Sequence, residues 1–325
     1  MMRAEFLAKH GWGVFFHYLD SLQNNLDKSN SLGRRTSWNA CVSELDAELL
    51  AEQVASIGAP YVVFTMLQQT RHMIAPNACF DRMTGYRPGE ACAERDLVLD
   101  LYDALSRRGV DLLLYFTGDG VFRDQQAATA LGNDWPSQSV SDAYFQNWLA
   151  VLREYGKRYG KKVRGWWLDG CYPGLGYDDA RCVAIADAAR AGNPEAAVAI
   201  NFYGCGEGYH EVDGVIYADW FTQPAPSVPG DDFTAGEVNM LGGLPDDPKP
   251  GGVQWHLLSF LGAPKDPRMV YDGWGSPGLK YDAAWLGDYR RSVVERGGVL
   301  TLDLCLRRDG SIAPEQLEAM RGLAR

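Results

Sequence analysis

The sequence predicts an α/β chain folded as one (β/α)8 TIM-like barrel, a single domain over residues 1–325. Three observations predict it: short unbroken apolar runs that stop at polar or glycine-rich loops, amphipathic helical stretches alternating with those runs, and an acid where one run ends. The 325 residues exceed the usual single core, but α/β barrels reach this length as one domain. No repeat, charge run or linker divides the chain.

Gly11 to Tyr18 is a β-rich run bounded by glycine, the first strand, with His17 at its far end. Ser43 to Val54 has apolar residues at three- and four-residue spacing, acids in its first turn and Gly58 as a stop, which makes a helix. Tyr61 to Met66 is the second strand, so strand, helix and strand already form a βαβ unit. A loop of about thirty residues follows, and loops that long are usually functional. Arg95 to Arg108 is helical, Val110 to Phe116 the third strand and Asp142 to Tyr159 the next helix. The fourth strand runs into Gly165-Trp166-Trp167-Leu168-Asp169-Gly170. Asp178 to Ala191 is helix, Ala196 to Asn201 the fifth strand, Gly214 to Asp219 the sixth, Gly252 to Leu257 the seventh and Gly298 to Asp303 the eighth. Ala313 to Met320 closes the chain as a helix with proline near its first turn.

A formal net charge of −11 offers no basic field to phosphates, which argues against nucleic acid or an anionic membrane and for a neutral substrate. The 10 Trp and 16 Tyr suit a cleft that stacks on sugar faces, or equally a Trp-rich core. Seven Cys, an odd number without a C-x-x-C pair, read as reduced buried thiols. The first ten residues lack the apolar core of a signal peptide, and no stretch of about 18 apolar residues could span a bilayer. A cytoplasmic location is therefore the expectation. Five His residues stand singly at 10, 17, 72, 210 and 256, so no metal site and no cofactor is expected.

A carboxylate at the C-terminal end of a barrel strand reads as catalytic, and Asp169 holds that position. The plainer alternative is a cap on the next helix. Glycoside hydrolysis needs a second carboxyl as proton donor. Between residues 202 and 250 the candidates include Glu207, Glu211, Asp219 and Glu237. Glu237 has small and aromatic neighbours that could desolvate it, and its plainer alternative is a solvated loop glutamate.

Taken in order, the motifs resemble the α-L-fucosidases of glycoside hydrolase family 29. Lys9 to Tyr18 is similar to the family's opening "FGIF-HWG", Tyr61 to Met66 to "KYVVLT", and Arg95-Asp96-Leu97-Val98 to "RDLV". Trp167-Leu168-Asp169-Gly170 is similar to the "WFDG" that carries the nucleophile. Asp232-Phe233-Thr234-Ala235-Gly236-Glu237 is similar to the "DFxTxE" that carries the acid/base in several members. Gly297 to Asp303, with Asp309 to Pro314, is similar to the segment closing the family's barrel. Within this resemblance the chain looks like a divergent branch with "DYTAGEIN…QWHxLSYLG".

The resemblance implies a retaining glycosidase with Asp169 as nucleophile and Glu237 as acid/base. It implies a fucose-like or other deoxy or L-sugar glycoside as substrate, and contacts from His17, Gln68, Gln69, Trp166, Tyr203, Trp255 and His256. Departures are visible. The family's "KHHDGF" falls on Leu67 to His72, which removes both of its sugar-binding imidazoles, and its "NDRW" falls on Asn201 to Gly204, which removes the Arg. The β-sandwich that often follows the barrel has no counterpart here. The expected partner is a small carbohydrate or glycoside, with no nucleic acid and no membrane; self-association as a homo-oligomer stays open. A carbohydrate-binding barrel without turnover and a glycoside-tailoring enzyme remain alternatives.

Overall fold

The structure, a computed structural model, describes residues 3–204, 209–212, 215–218, 227–245, 252–263 and 273–323, with only the backbone given for 209–212 and 215–218. Its strands are β1 Trp12–Phe16, β2 Tyr61–Thr65, β3 Asp111–Thr117, β4 Gly165–Asp169, β5 Ala197–Ile200, β6 Tyr209–Val212, β7 Val215–Ala218, β8 His256–Phe260 and β9 Val299–Leu304. Seven of them form one parallel sheet in the order β5-β4-β3-β2-β1-β9-β8, with helices between β1 and β2, β2 and β3, β3 and β4, β4 and β5, and β8 and β9, an α/β fold consistent with a TIM-like barrel.

The apolar runs form strands because both of their faces are covered. Every residue of β1, β2, β5, β8 and β9 is buried. Alternation along the pleat separates two apolar layers. Phe15, Tyr61, Val63, Leu113, Tyr115, Trp167, Ala197, Ala199 and Leu258 pack together inside, with Phe6 and Leu7 of the N-terminal helix Glu5–His10 and with Ala4 just before it. Phe16, Val62, Phe64, Leu114, Trp166, Leu168 and Trp255 pack outward against the helices.

The helices start where short polar side chains can take up unpaired backbone N–H groups. Asp46, Asp96, Ser141, Asp178 and Asp282 each accept from the first turn of the helix that follows. The first predicted helix is two, Trp38–Glu44 and Ala47–Ser56, because Leu45 is extended and Asp46 opens a new cap. Ala78–Thr84 and Gln125–Ala130 lie inside the long loops, and Ala283–Glu295 lies in a stretch where the sequence had suggested no helix.

Two strand expectations change. The run expected as the sixth barrel strand is β7, which pairs antiparallel with β6 in a separate two-stranded sheet; the two runs are too close in sequence for the crossover that a parallel pair needs. The seventh strand begins at His256 rather than at Gly252.

The sheet edges, β5 and β8, are joined by residues 231–238. On the β5 side Asp232 N donates to Val198 O at 2.7 Å, while the Asp232 and Asp231 carboxylates accept from Val198 N and Ile200 N at 3.0 and 2.8 Å. On the β8 side the segment runs parallel, with bridges Phe233 to Gln254 and Glu237 to Leu258. Two carboxylates thus replace the carbonyls a regular strand would offer. Burial pushes Asp231 up to about 7 despite its two backbone donors. Among the described residues, no helix is long and apolar enough to cross a membrane.

Candidate active site

Asp169 ends β4 and is held from four sides. Its Oδ1 accepts from Gly170 N at 2.7 Å, Tyr172 Oη at 2.9 Å and Asn201 Nδ2 at 2.9 Å. Its Oδ2 accepts from Tyr115 Oη at 2.6 Å. Burial, and then the Asp169 charge, raises the pKa of both phenols, so they stay protonated as donors.

Asn201, the first residue after β5, also donates through Nδ2 to Glu237 Oε2 at 2.6 Å. One amide nitrogen thereby brings together an acid from the end of β4 and an acid from the segment between β5 and β8. Their bridged oxygens stand no further apart than these two short contacts laid end to end.

Both acids line a cavity of about 230 Å³. Phe15, Leu19, Leu22, Trp167, Leu258 and Trp274 give it an apolar wall, and His17 and Gln68 add polar groups. Its described lining holds no Lys or Arg, so the electrostatics suit a neutral ligand. Among the described residues, no group of three His, Cys, Asp or Glu side chains could hold a metal ion.

The sequence-derived contacts divide clearly. His17 lines the cavity; its Nδ1 lies 3.0 Å from Asp303 Oδ1, and Asp303 Oδ2 accepts from Gly275 N at 2.5 Å. With Nδ1 committed to the carboxylate, Nε2 is the nitrogen left for a ligand. Gln68 lines the cavity and donates to Tyr115 Oη at 3.1 Å. Gln69 does not line it; its amide donates to Asp119 Oδ2 at 2.7 Å.

Trp166 and Trp255 are buried in the layer between strands and helices, and pleat alternation gives the cavity to Trp167 instead. His256 lies inside the barrel away from the cavity lining, with Nδ1 against the carbonyls of Thr234 and Ala235 and Nε2 2.7 Å from Thr301 Oγ1. Burial pushes its pKa down to about 4. Tyr203 is 53% exposed and outside the lining. Glu207 and Asp219 fall outside the described residues, and Glu211 sits on β6, where only the backbone is described.

Tyr115, Tyr172, Asn201, Trp274 and Asp303 were not singled out from sequence. Two signals could have found some of them. Asn201 and Asp303 each end a predicted strand, the position that had marked Asp169, and strand parity from Asp169 selects Trp167.

No family model matches the chain, and no curated protein matches it by sequence. Solved structures do match. An endo-fucoidan hydrolase of glycoside hydrolase family 107 superposes with a TM-score of 0.69 at 15% identity, over 100% of this chain and 92% of that one. The α-L-fucosidase AlfC from Lactobacillus casei, in complex with α-L-fucose product, gives 0.62 at 15% identity, over 100% and 97%. A bacterial fucosidase with an iminocyclitol inhibitor gives 0.60 at 15% identity, over 98% and 73%. The chain has a divergent fucosidase-like fold, shared with these glycoside hydrolases.

Proposed function

We propose that the chain is a retaining glycoside hydrolase, a single barrel closed by residues 231–238, acting on a fucose-like or other deoxy or L-sugar glycoside. Asp169 is the nucleophile and Glu237 the acid/base. The observation that carries this reading is the Asn201 amide shared between the two carboxylates at 2.9 and 2.6 Å. Retaining enzymes hold their carboxyls about 5 to 5.5 Å apart and inverting ones about 6.5 to 9.5 Å. The shared donor limits the bridged oxygens to a separation no greater than the two contacts laid end to end, short of the inverting range, and this supports the retaining reading.

In the first step Asp169 attacks the anomeric carbon and the glycosidic C–O bond breaks, while Glu237 gives its proton to the leaving oxygen. Oδ2 is the oxygen better placed to attack, because Oδ1 already accepts three hydrogen bonds and Oδ2 one. In the second step Glu237 takes a proton from water, the water oxygen bonds to the anomeric carbon, and the ester to Asp169 is released. The fucose-directed activities of proteins with the same fold support the sugar class, and the cation-free lining supports a neutral sugar.

The test is hydrolysis of 4-nitrophenyl α-L-fucoside and related aryl glycosides by wild type, Asp169→Asn and Glu237→Gln. Turnover of one sugar, lost in both variants, with azide restoring cleavage to Asp169→Gly as a glycosyl azide, is the expected result. Binding of sugars without cleavage by the wild type would sink the hydrolase reading in favour of a binding protein, and products other than the free sugar would favour a tailoring enzyme.

A further inference from the structure

Beneath the Asp169 loop lies a carboxyl that the hydrolytic scheme does not use. Asp119, on the loop after β3, is 3% exposed. Its Oδ2 takes the Gln69 amide at 2.7 Å, and its buried Oδ1 has no hydrogen-bond partner. Its carboxyl packs against Gly170, where an added Cβ would stand 2.7 Å from Asp119 Cγ and 2.8 Å from Oδ1. Gly170 has φ +63° and supplies the N–H that holds Asp169 Oδ1.

Three strand-end loops therefore meet at this carboxyl. Gln69, itself at φ 57°, comes from β2 and is held by Arg123 N donating to its carbonyl at 2.9 Å. Asp119 comes from β3, and Asp169 with Gly170 from β4. The β3 and β4 loops are further joined by Gly118 N donating to Asp169 O at 2.6 Å.

We propose that Asp119 is a proton-bearing positioning residue for the nucleophile: while neutral it wedges the Gly170 turn that orients Asp169, and when it ionises the two carboxylates repel and the turn loosens. The inference rests on the proposed role of Asp169 and adds a pH control to that site. A neutral acid with one unpartnered buried oxygen is far cheaper than a carboxylate with the same defect.

The charged and titratable groups around Asp119 agree. Asp169, Tyr172 and Cys171 act on it from the β4 loop, Tyr115 from β3, Tyr144 from the helix Asp142–Tyr159, Tyr177 from the loop after β4 and Arg123 from its own loop. Burial raises the four phenols and the thiol, leaving them neutral across the physiological range. The Gln69 amide and the nearby Thr117 hydroxyl oppose the shift, as does Arg123, the single cation in this set. Desolvation, then the Asp169 charge, pushes Asp119 up to about 7.

The experiment follows covalent labelling by a 2-fluoro fucosyl fluoride between pH 5 and 9, because its fluoride leaves without help from an acid. Asp169 bonds to the anomeric carbon as the C–F bond breaks. The wild-type labelling rate is expected to fall about tenfold above pH 7, to stay level in Asp119→Asn, and to fall at a higher pH in Gln69→Met, which removes a donor that favours the ionised form. Identical profiles in wild type and Asp119→Asn overturn the proposal.

Thermal melts read the same group without activity. A carboxyl raised from about 3.9 unfolded to about 7 folded gives stability that is complete below pH 4 and lost as pH rises to 7. The Tm of Asp119→Asn relative to wild type should climb over that window and level off above it, and a pH-independent difference overturns the proposal. Failure of wild type to label at any pH sinks the reading of this site as a retaining fucosidase, and the melts still decide the state of Asp119.

Discussion

His17 Nδ1 meets Asp303 Oδ1 at 3.0 Å across paired β1 and β9, while Gly275 N fixes the other oxygen of the same carboxylate. The carboxylate commits Nδ1 and so leaves Nε2 of this cavity-lining imidazole for a ligand. Asp303→Asn keeps the shape but removes the charge. A hydrogen bond to a charged group contributes about 1.5–3 kcal/mol, so kcat/KM on the cleaved glycoside should fall roughly 10- to 100-fold. Unchanged kcat/KM would show that His17 needs no partner to do its work.

Asn201→Ala removes the donor shared by the two acids. The expected outcome is a kcat roughly 10- to 100-fold lower with KM nearly unchanged, since the contact is to the two proposed reacting groups rather than to bound sugar. Asn201→Asp places a third carboxyl at the same point and should lower kcat further. Steady-state kinetics on both variants checks the order.

His256 predicts acid sensitivity. Its folded pKa of about 4 lies below its unfolded value of about 6.5. The unfolded chain therefore binds a proton first, and stability is lost as pH falls from 6.5 to 4, by up to about 3 kcal/mol. Asp119 and Asp231, whose folded pKa values are raised, gain stability over the same range, so the urea data are read as a difference: His256→Gln should gain on wild type as pH falls from 6.5 to 4. Equal slopes would place the acid sensitivity elsewhere.

Gly236 has φ +61°, and an added Cβ would come 1.8 Å from the backbone oxygen of His256. The segment carrying Glu237 lies against β8 only because this residue lacks a side chain. Gly236→Ala should cost at least about 3 kcal/mol, from left-handed strain plus displacement of packed backbone. Its urea midpoint is the check, and a loss below about 1 kcal/mol would mean that the segment has room to move.

Much of the fold was legible because a strand buried on both faces needs an apolar run, and Tyr61 to Met66 or Val110 to Phe116 can hardly be read otherwise. The segment 231–238 was not legible as part of the wall. It pairs through the side chains of Asp231 and Asp232 and through two isolated bridges, so neither alternation nor an apolar run announces it. Val215–Ala218 carried the better strand signal and went into a hairpin. Within the site, Asp169 was visible as an acid at a strand end. Trp166, Trp255 and His256 were drawn in by nearness to strand ends, which does not say which way a side chain points. Gln69 was one residue from a lining position, and its left-handed backbone carries its amide to Asp119.

The pairing of β1 with β9 also sets when the site comes into being. His17 and Asp303 lie 286 residues apart, and at about 5–20 residues per second a ribosome takes tens of seconds to travel between them. Throughout that interval β1 can pair with β2 but has an open second edge, which invites association with other chains until Val299–Leu304 arrives. The cavity-lining imidazole therefore acquires its carboxylate partner only once Val299–Leu304 has been made, and a chain interrupted before that point has an open strand edge where the cavity wall should be.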